Sequence, residues 1–201
     1  MSAHRVVLQA WPRRSGASVA LVFASLDAFR TPEELDAHVV LLERCASGAA
    51  AVATGSLVPM VPTDPAWQLD SPVFKLDFAP YEIRSGEFAF GIRFEYRTQF
   101  SAGENTTEVL HLFRQDCSRL VDILHTEVRT EDEQRGPNDL THSTSVVMIA
   151  PETTGGFHDI VVQRRSTTAP LDESVRSRSG RKSERRAERW QWTGERYEPS
   201  R

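Results

Sequence analysis

Cysteine is scarce in this chain: only Cys45 and Cys117 occur among 201 residues, with no C-x-x-C pair. That excludes a disulfide-framed small scaffold and the common zinc-ribbon and redox motifs. One bridge between the two and a pair of separate thiols both fit the spacing, an oxidising compartment favouring the bridge. No apolar run approaches the ~18 residues a helix needs to cross a bilayer, so no membrane span is expected. There is no G-x-S-x-G turn to present a serine nucleophile and no internal repeat of a propeller blade's length. Charge of one sign is also not in excess: 24 Lys and Arg against 28 Asp and Glu give a net charge of −4. Bulk charge therefore gives no reason to expect nucleic acid or an anionic membrane as partner.

What the chain does have is alternation. In Glu87-Phe88-Ala89-Phe90-Gly91-Ile92-Arg93-Phe94-Glu95-Tyr96-Arg97, the residues Phe88, Phe90, Ile92, Phe94 and Tyr96 share one side of a strand. Glu87, Arg93, Glu95 and Arg97 share the other, which is the period-two signature of a strand with one face in a core and one in water. Val6 to Trp11 reads as a strand. The segment after Arg13-Arg14 has the basic-then-apolar order of a signal peptide, but a turn at Arg14-Ser15-Gly16 entering a buried strand is preferred. Thr31-Pro32-Glu33-Glu34 is a capped helix start. Residues 38–46 continue as a short helical turn or as a strand of a hairpin through Ala46-Ser47-Gly48. Residues 59–72 read as a proline-rich loop, and 74–78 as a strand before a turn at Arg84-Ser85-Gly86.

Residues 108–114 and 119–125 read as a β-hairpin through a loop at 115–118, followed by a surface loop at 129–139 and strands at 143–150 and 157–165. Many strands with short links give a mainly β fold: an antiparallel sandwich or a curled sheet or barrel, with at most one or two short helices. The length suits a single β-rich domain over 1–201. Residues 169–188 are rich in Ser and Arg and nearly free of large apolar side chains, so they are expected to form a mobile loop. Trp190-Gln191-Trp192 then resumes a strand, with Tyr197 beyond a turn at Thr193-Gly194.

Gly156-Phe157-His158-Asp159-Ile160-Val161-Val162, followed by Trp190-Gln191-Trp192-Thr193-Gly194-Glu195-Arg196-Tyr197, resembles the closing segments of a loose group of mostly uncharacterised bacterial β-rich proteins. Their pattern is Gly-aromatic-x-Asp-aliphatic, then aromatic residues, then Gly-x-x-Tyr. The match spans roughly the last quarter of the chain, and its motifs are short. The resemblance implies a β architecture and a periplasmic or exported setting, and no established reaction. A cytoplasmic setting stays open, because the chain starts directly in a strand where that group's export signal is expected. The Gly-x-x-Asp element is also found in calcium-binding propeller repeats, but Pro151-Glu152-Thr153-Thr154-Gly155 supplies too few ligands for calcium.

Chemistry-bearing groups are few. His111 and His125 lie on the two arms of one predicted hairpin and face each other only if a bulge sets the register. A zinc site needs a third ligand, for which Asp122 and His142 are the candidates. Cys117 with either histidine would make a thiol dyad, but nearness across a hairpin supplies no oxyanion hole. The ordinary reading is two half-exposed strand histidines. No catalytic, cofactor or metal residue is assigned, and no cofactor is expected. Glu131, Asp132 and Glu133 form an acidic cluster, and Arg176, Arg178, Arg181, Lys182, Arg185 and Arg186 a basic one beside two tryptophans. Asp172, Glu173, Glu184 and Glu188 dilute the basic run, which disfavours nucleic acid. Both clusters are candidate contacts for another protein. The functional expectation is a non-enzymatic protein-binding domain, of the kind found in a bacterial periplasmic inhibitor or immunity protein. The alternatives are a hydrolase with a histidine-based site around His111 and His125, or a small-ligand carrier using a pocket under the Phe-rich face.

Overall fold

The strand that opens at Glu87 is one of twelve among the described residues. The computed structural model describes residues 5–23, 37–45, 48–57, 68–100, 103–134, 139–170 and 182–200, and places nearly all of them in strands, with no helix among the described residues. The strands are β1 (Arg5–Ala10), β2 (Ala17–Phe23), β3 (Ala37–Cys45), β4 (Gly48–Leu57), β5 (Gln68–Arg84), β6 (Glu87–Phe100), β7 (Gly103–Asp116), β8 (Arg119–Gln134), β9 (Asp139–Thr154), β10 (Phe157–Pro170), β11 (Lys182–Trp192) and β12 (Tyr197–Pro199). β1 to β4 form one antiparallel meander and β5 to β12 another. The two are joined where β4 runs parallel to β8, with Thr54 opposite Arg119. The sheet is curled and does not close into a barrel.

Two cores lie on opposite faces of β6, β7 and β8. On one face Phe90, Ile92, Phe113 and Leu120 meet Val19, Leu21, Phe23, Val39, Leu41, Ala53 and Leu57 of the N-terminal meander. On the other, Ala89, Leu110, Leu112 and Leu124 meet Ile160, Val162, Trp192 and Tyr197. This division follows from the pleat, since Phe90 pairs with Phe113 and Ile92 with His111, while Leu110 and Leu112 point the opposite way. The Phe-rich face of β6 packs into the first of these cores. Phe90 stacks on Phe113 at 5.9 Å, Trp11 stands edge-on to Phe90 at 5.1 Å, and Phe74 lies 4.9 Å from Phe94. Each such ring contributes about 1.5–3 kcal/mol by burial.

The opposite face of β6 is not simply solvated. Arg93 donates from Nε to Asp77 Oδ2 and from Nη1 to Glu108 Oε1, both at 2.7 Å. Asp77 sits at an irregularity in the pairing of β5 with β6, between Asp77 and Tyr81. Pro80, which has no N–H to give the ladder, falls inside it. The freed groups are recovered locally: Asp77 accepts from the Ala79 amide at 2.9 Å and from the Tyr81 hydroxyl at 3.0 Å. Burial pushes the Asp77 carboxyl up, and the Ala79 amide and the Arg93 guanidinium outweigh it, so the net shift is below the ordinary value.

Several expected loops are strands. Residues 38–45 belong to β3, because their backbone pairs with both β2 and β4. Glu131, Asp132 and Glu133 are not in a surface loop: β8 carries them between Thr106 to Glu104 of β7 and His142 to Leu140 of β9. Residues 182–188 are strand as well. β11 pairs with β10 from Lys182 opposite Thr168 onward, so the ladder supplies the bonds while exposed Ser and Arg side chains stay in water. A strand there needs no apolar side chains. Residues 68–72 likewise lie in β5. The capped start at Thr31, the prolines of 59–67 and the arginines Arg176, Arg178 and Arg181 lie outside the described residues.

The C-terminal segment is part of the folded body. Trp192 stacks on Phe157 at 4.3 Å and meets Tyr197 edge-on at 5.4 Å. The Arg114 guanidinium sits over both the Phe157 and Trp192 rings. Tyr197 donates to the His158 carbonyl at 2.8 Å. Asp159, almost wholly buried, accepts from Arg189 at 3.2 Å and from Gln191, fastening β10 to β11. Asp159 thus has a structural role in the Gly-aromatic-x-Asp element.

Candidate functional site

The hairpin of β7 and β8 turns at Cys117-Ser118, with Cys117 in the left-handed region at φ 53°. From the turn inward, Asp116 pairs with Arg119 and Phe113 with Asp122. The register then shifts, so that Leu112 pairs with Leu124 and His111 with His125. Ile123 is the extra residue. In an unbroken strand Asp122 and His125, three apart, would point to opposite faces. The bulge at Ile123 cancels that inversion and turns both toward His111.

The result is a compact group of polar side chains at the margin of an apolar core. His111 Nδ1 lies 2.7 Å from Asp122 Oδ2. One ligand-capable atom from each of His111, Asp122 and His125 falls within 4.8 Å of the other two. The histidine rings are 5.8 Å apart. His111 is fully buried, whereas Asp122 and His125 are half-buried. His111 Nε2 and Asp122 Oδ1 are both buried and neither has a hydrogen-bond partner. Burial lowers the pKa of His125; the Asp122 carboxylate opposes this, and His111 and Arg196 reinforce it.

Asp122 borders an open groove. This groove, of about 480 Å³ where β4 meets β8, is lined by His38, Thr54, Ser56, Arg119 and Asp122. The approach depends on Gly55. A Cβ there would stand 2.9 Å from Leu120 Cβ and 3.1 Å from its carbonyl carbon. Only a residue without a side chain lets the two backbones close enough for the Thr54 amide to reach the Ser118 carbonyl at 3.1 Å.

Of the two third-ligand candidates, the structure brings in Asp122. His142 sits instead beside Glu131, with Nδ1 3.1 Å from Oε1. Cys117 is an exposed free thiol at the turn and takes no part in the group. The two charged clusters fare differently. Glu131 is engaged by Arg129 at 2.7 Å, which with His142 holds its carboxyl below the ordinary value despite partial burial. On the basic side, Arg165 stands opposite Arg185 and Arg164 opposite Arg186. Arg164 reaches Glu127 at 3.4 Å. Among the described residues, Arg165, Lys182, Arg185 and Arg186 form no ion pair, and all four are exposed. The face that carries Arg165 and Arg185 also carries Val146 and Met148, which are 60% and 36% exposed. Arg165 was not singled out from sequence. Its register opposite Arg185 was the missing information.

Among the described residues, fold and site together define an open, all-β protein with a polar histidine–carboxylate group inside one hairpin and a basic patch without ion pairs on an outer sheet face. No protein-family model matches the chain, and neither a curated protein nor a solved structure matches it.

Proposed function

We propose that this chain is a non-enzymatic protein-binding domain that receives an acidic protein surface on the outer face of β9, β10 and β11. The observation that carries the reading is the direct cross-strand pairing of Arg165 with Arg185, neither of which forms an ion pair among the described residues. Like charges set opposite each other weaken a sheet, so such a pair is a standing cost to folding that an incoming carboxylate relieves. Val146 and Met148 on the same face add apolar area of the kind that interface centres use. Lys182 and Arg186 point to the other face of β11 and are not part of this surface. The C-terminal pattern resembling bacterial β-rich proteins supports a periplasmic or exported setting, where a protein-binding domain of this kind would serve as an inhibitor or immunity-type protein.

The test compares the tagged wild-type chain with an Arg165→Glu, Arg185→Glu variant in capture from an extract of the source cells at two salt concentrations. Cross-linking and mass spectrometry then locate the contact. The expected result is one stoichiometric partner, linked to β9–β11 through its acidic residues, weakened by salt and lost in a variant that melts normally. Equal capture by the variant, or cross-links elsewhere, would overturn the assignment.

A further inference from the structure

We propose that His111, Asp122 and His125 form a binding site for a divalent transition metal of the zinc class. This is independent of the docking face, which lies on other strands.

Three observations converge on it. The first is ligand geometry. A tetrahedral centre with ligand bonds of about 2.0–2.2 Å holds its ligand atoms roughly 3.4 Å apart, and the three groups already lie within 4.8 Å of one another. Rotation of Asp122 and His125, the half-buried members, would close that gap, while His111 is fully buried. The second is the unmet demand of a buried atom. His111 Nδ1 lies 2.7 Å from Asp122 Oδ2, so a metal shared by the two would take the Nδ1 lone pair in place of that contact, with the ring proton on Nε2. Asp122 Oδ1 is buried with no partner, which native interiors rarely tolerate. A hydrogen-bonded His–Asp pair alone explains neither that orphan nor why a second imidazole is turned to the same point. The third is the bulge at Ile123. It spends a ladder position to put Asp122 and His125 on one face, and bulges recur where a strand must re-aim a functional side chain.

The donor set fixes the metal class. Two imidazoles and one carboxylate suit zinc, cobalt, nickel or iron(II), whereas calcium and magnesium require mostly oxygen. The absence of a thiolate argues against copper(I). Three protein ligands leave a coordination position for water, and the groove along Asp122 is the side from which water and metal would enter.

The experiment uses the full chain stripped with chelator and titrated with cobalt(II), read by its visible d–d absorption, and with zinc(II), read by calorimetry and thermal shift. The wild type is expected to bind one equivalent and to melt higher with zinc but not with calcium. Asp122→Asn and His125→Gln are expected to keep the fold by circular dichroism and to bind at least roughly 100-fold more weakly. They avoid the buried His111, whose replacement risks unfolding. His38→Ala and His142→Gln should bind as the wild type does. Wild-type affinity no better than millimolar, or unchanged binding in Asp122→Asn and His125→Gln, would overturn the site.

Discussion

Replacing Gly55 by alanine tests the junction of the two meanders by the sign of the effect as well as its size. Gly55 is not in the left-handed region. On backbone grounds alone, alanine would therefore stabilise by about 0.4–1 kcal/mol through the unfolded chain. The added methyl, however, meets Leu120 Cβ at 2.9 Å and its carbonyl carbon at 3.1 Å, with the carbonyl oxygen nearer still. These are backbone-linked atoms that cannot swing aside. Overpacking of this kind costs roughly 1–3 kcal/mol. Parting the strands also forfeits the hydrogen bond from Thr54 to Ser118, worth about 1 kcal/mol. The net expectation is a loss of about 2 kcal/mol, or roughly 4–8 °C in Tm for a chain of this size. Urea and thermal unfolding read it, with the exposed neighbouring Ser56→Ala as a control that should move little. A Gly55→Ala protein as stable as the wild type, or more so, would show that β4 and β8 do not meet as described.

Two further outcomes follow from the polar and aromatic centres. Asp77 has a folded-state pKa below its unfolded value of 3.8, so its stabilisation is present above that value and is lost as pH falls through the folded pKa. Asp77→Asn should flatten the acid limb of a stability–pH curve and cost about 1–3 kcal/mol at neutral pH, since Arg93 is partly exposed; an unchanged acid limb would count against the Arg93 network. Trp192→Ala removes the ring between Phe157, Tyr197 and Arg114 and is expected to cost about 3–5 kcal/mol in urea unfolding, whereas a loss under about 1 kcal/mol would show the C-terminal strands to be loosely attached.

The β class was legible wherever one face of a strand is buried, since Phe88 to Tyr96 alternate because the pleat does. It was illegible where a strand is held by its backbone alone. Glu131 to Glu133 and residues 182–188 are polar on both sides, and their state is fixed by neighbours distant in sequence. The two histidines could be placed on facing arms, but the residue count of the hairpin predicts a mismatch by one. Only the bulge at Ile123, selected by packing against the second core, brings them level. The unpaired arginines were visible in part. Arg185 stood out in a basic run, while Arg165 lay unnoticed in an ordinary strand until pairing set them together. Gly55 is the one trace in the sequence of the contact between β4 and β8, and nothing around it marks that glycine as special.

That contact also orders events in time. Every antiparallel pair joins strands adjacent in the chain and can zip up from its own turn, whereas Thr54 and Arg119 are 65 residues apart and must find each other by diffusion. The junction is therefore expected to be the last part of the sheet to assemble and the first to open. Hydrogen exchange at the Thr54 amide, faster than at Ile92 or Leu112, would record the halves parting while each stays folded, and it would place the mouth of the groove at the most labile seam of the molecule.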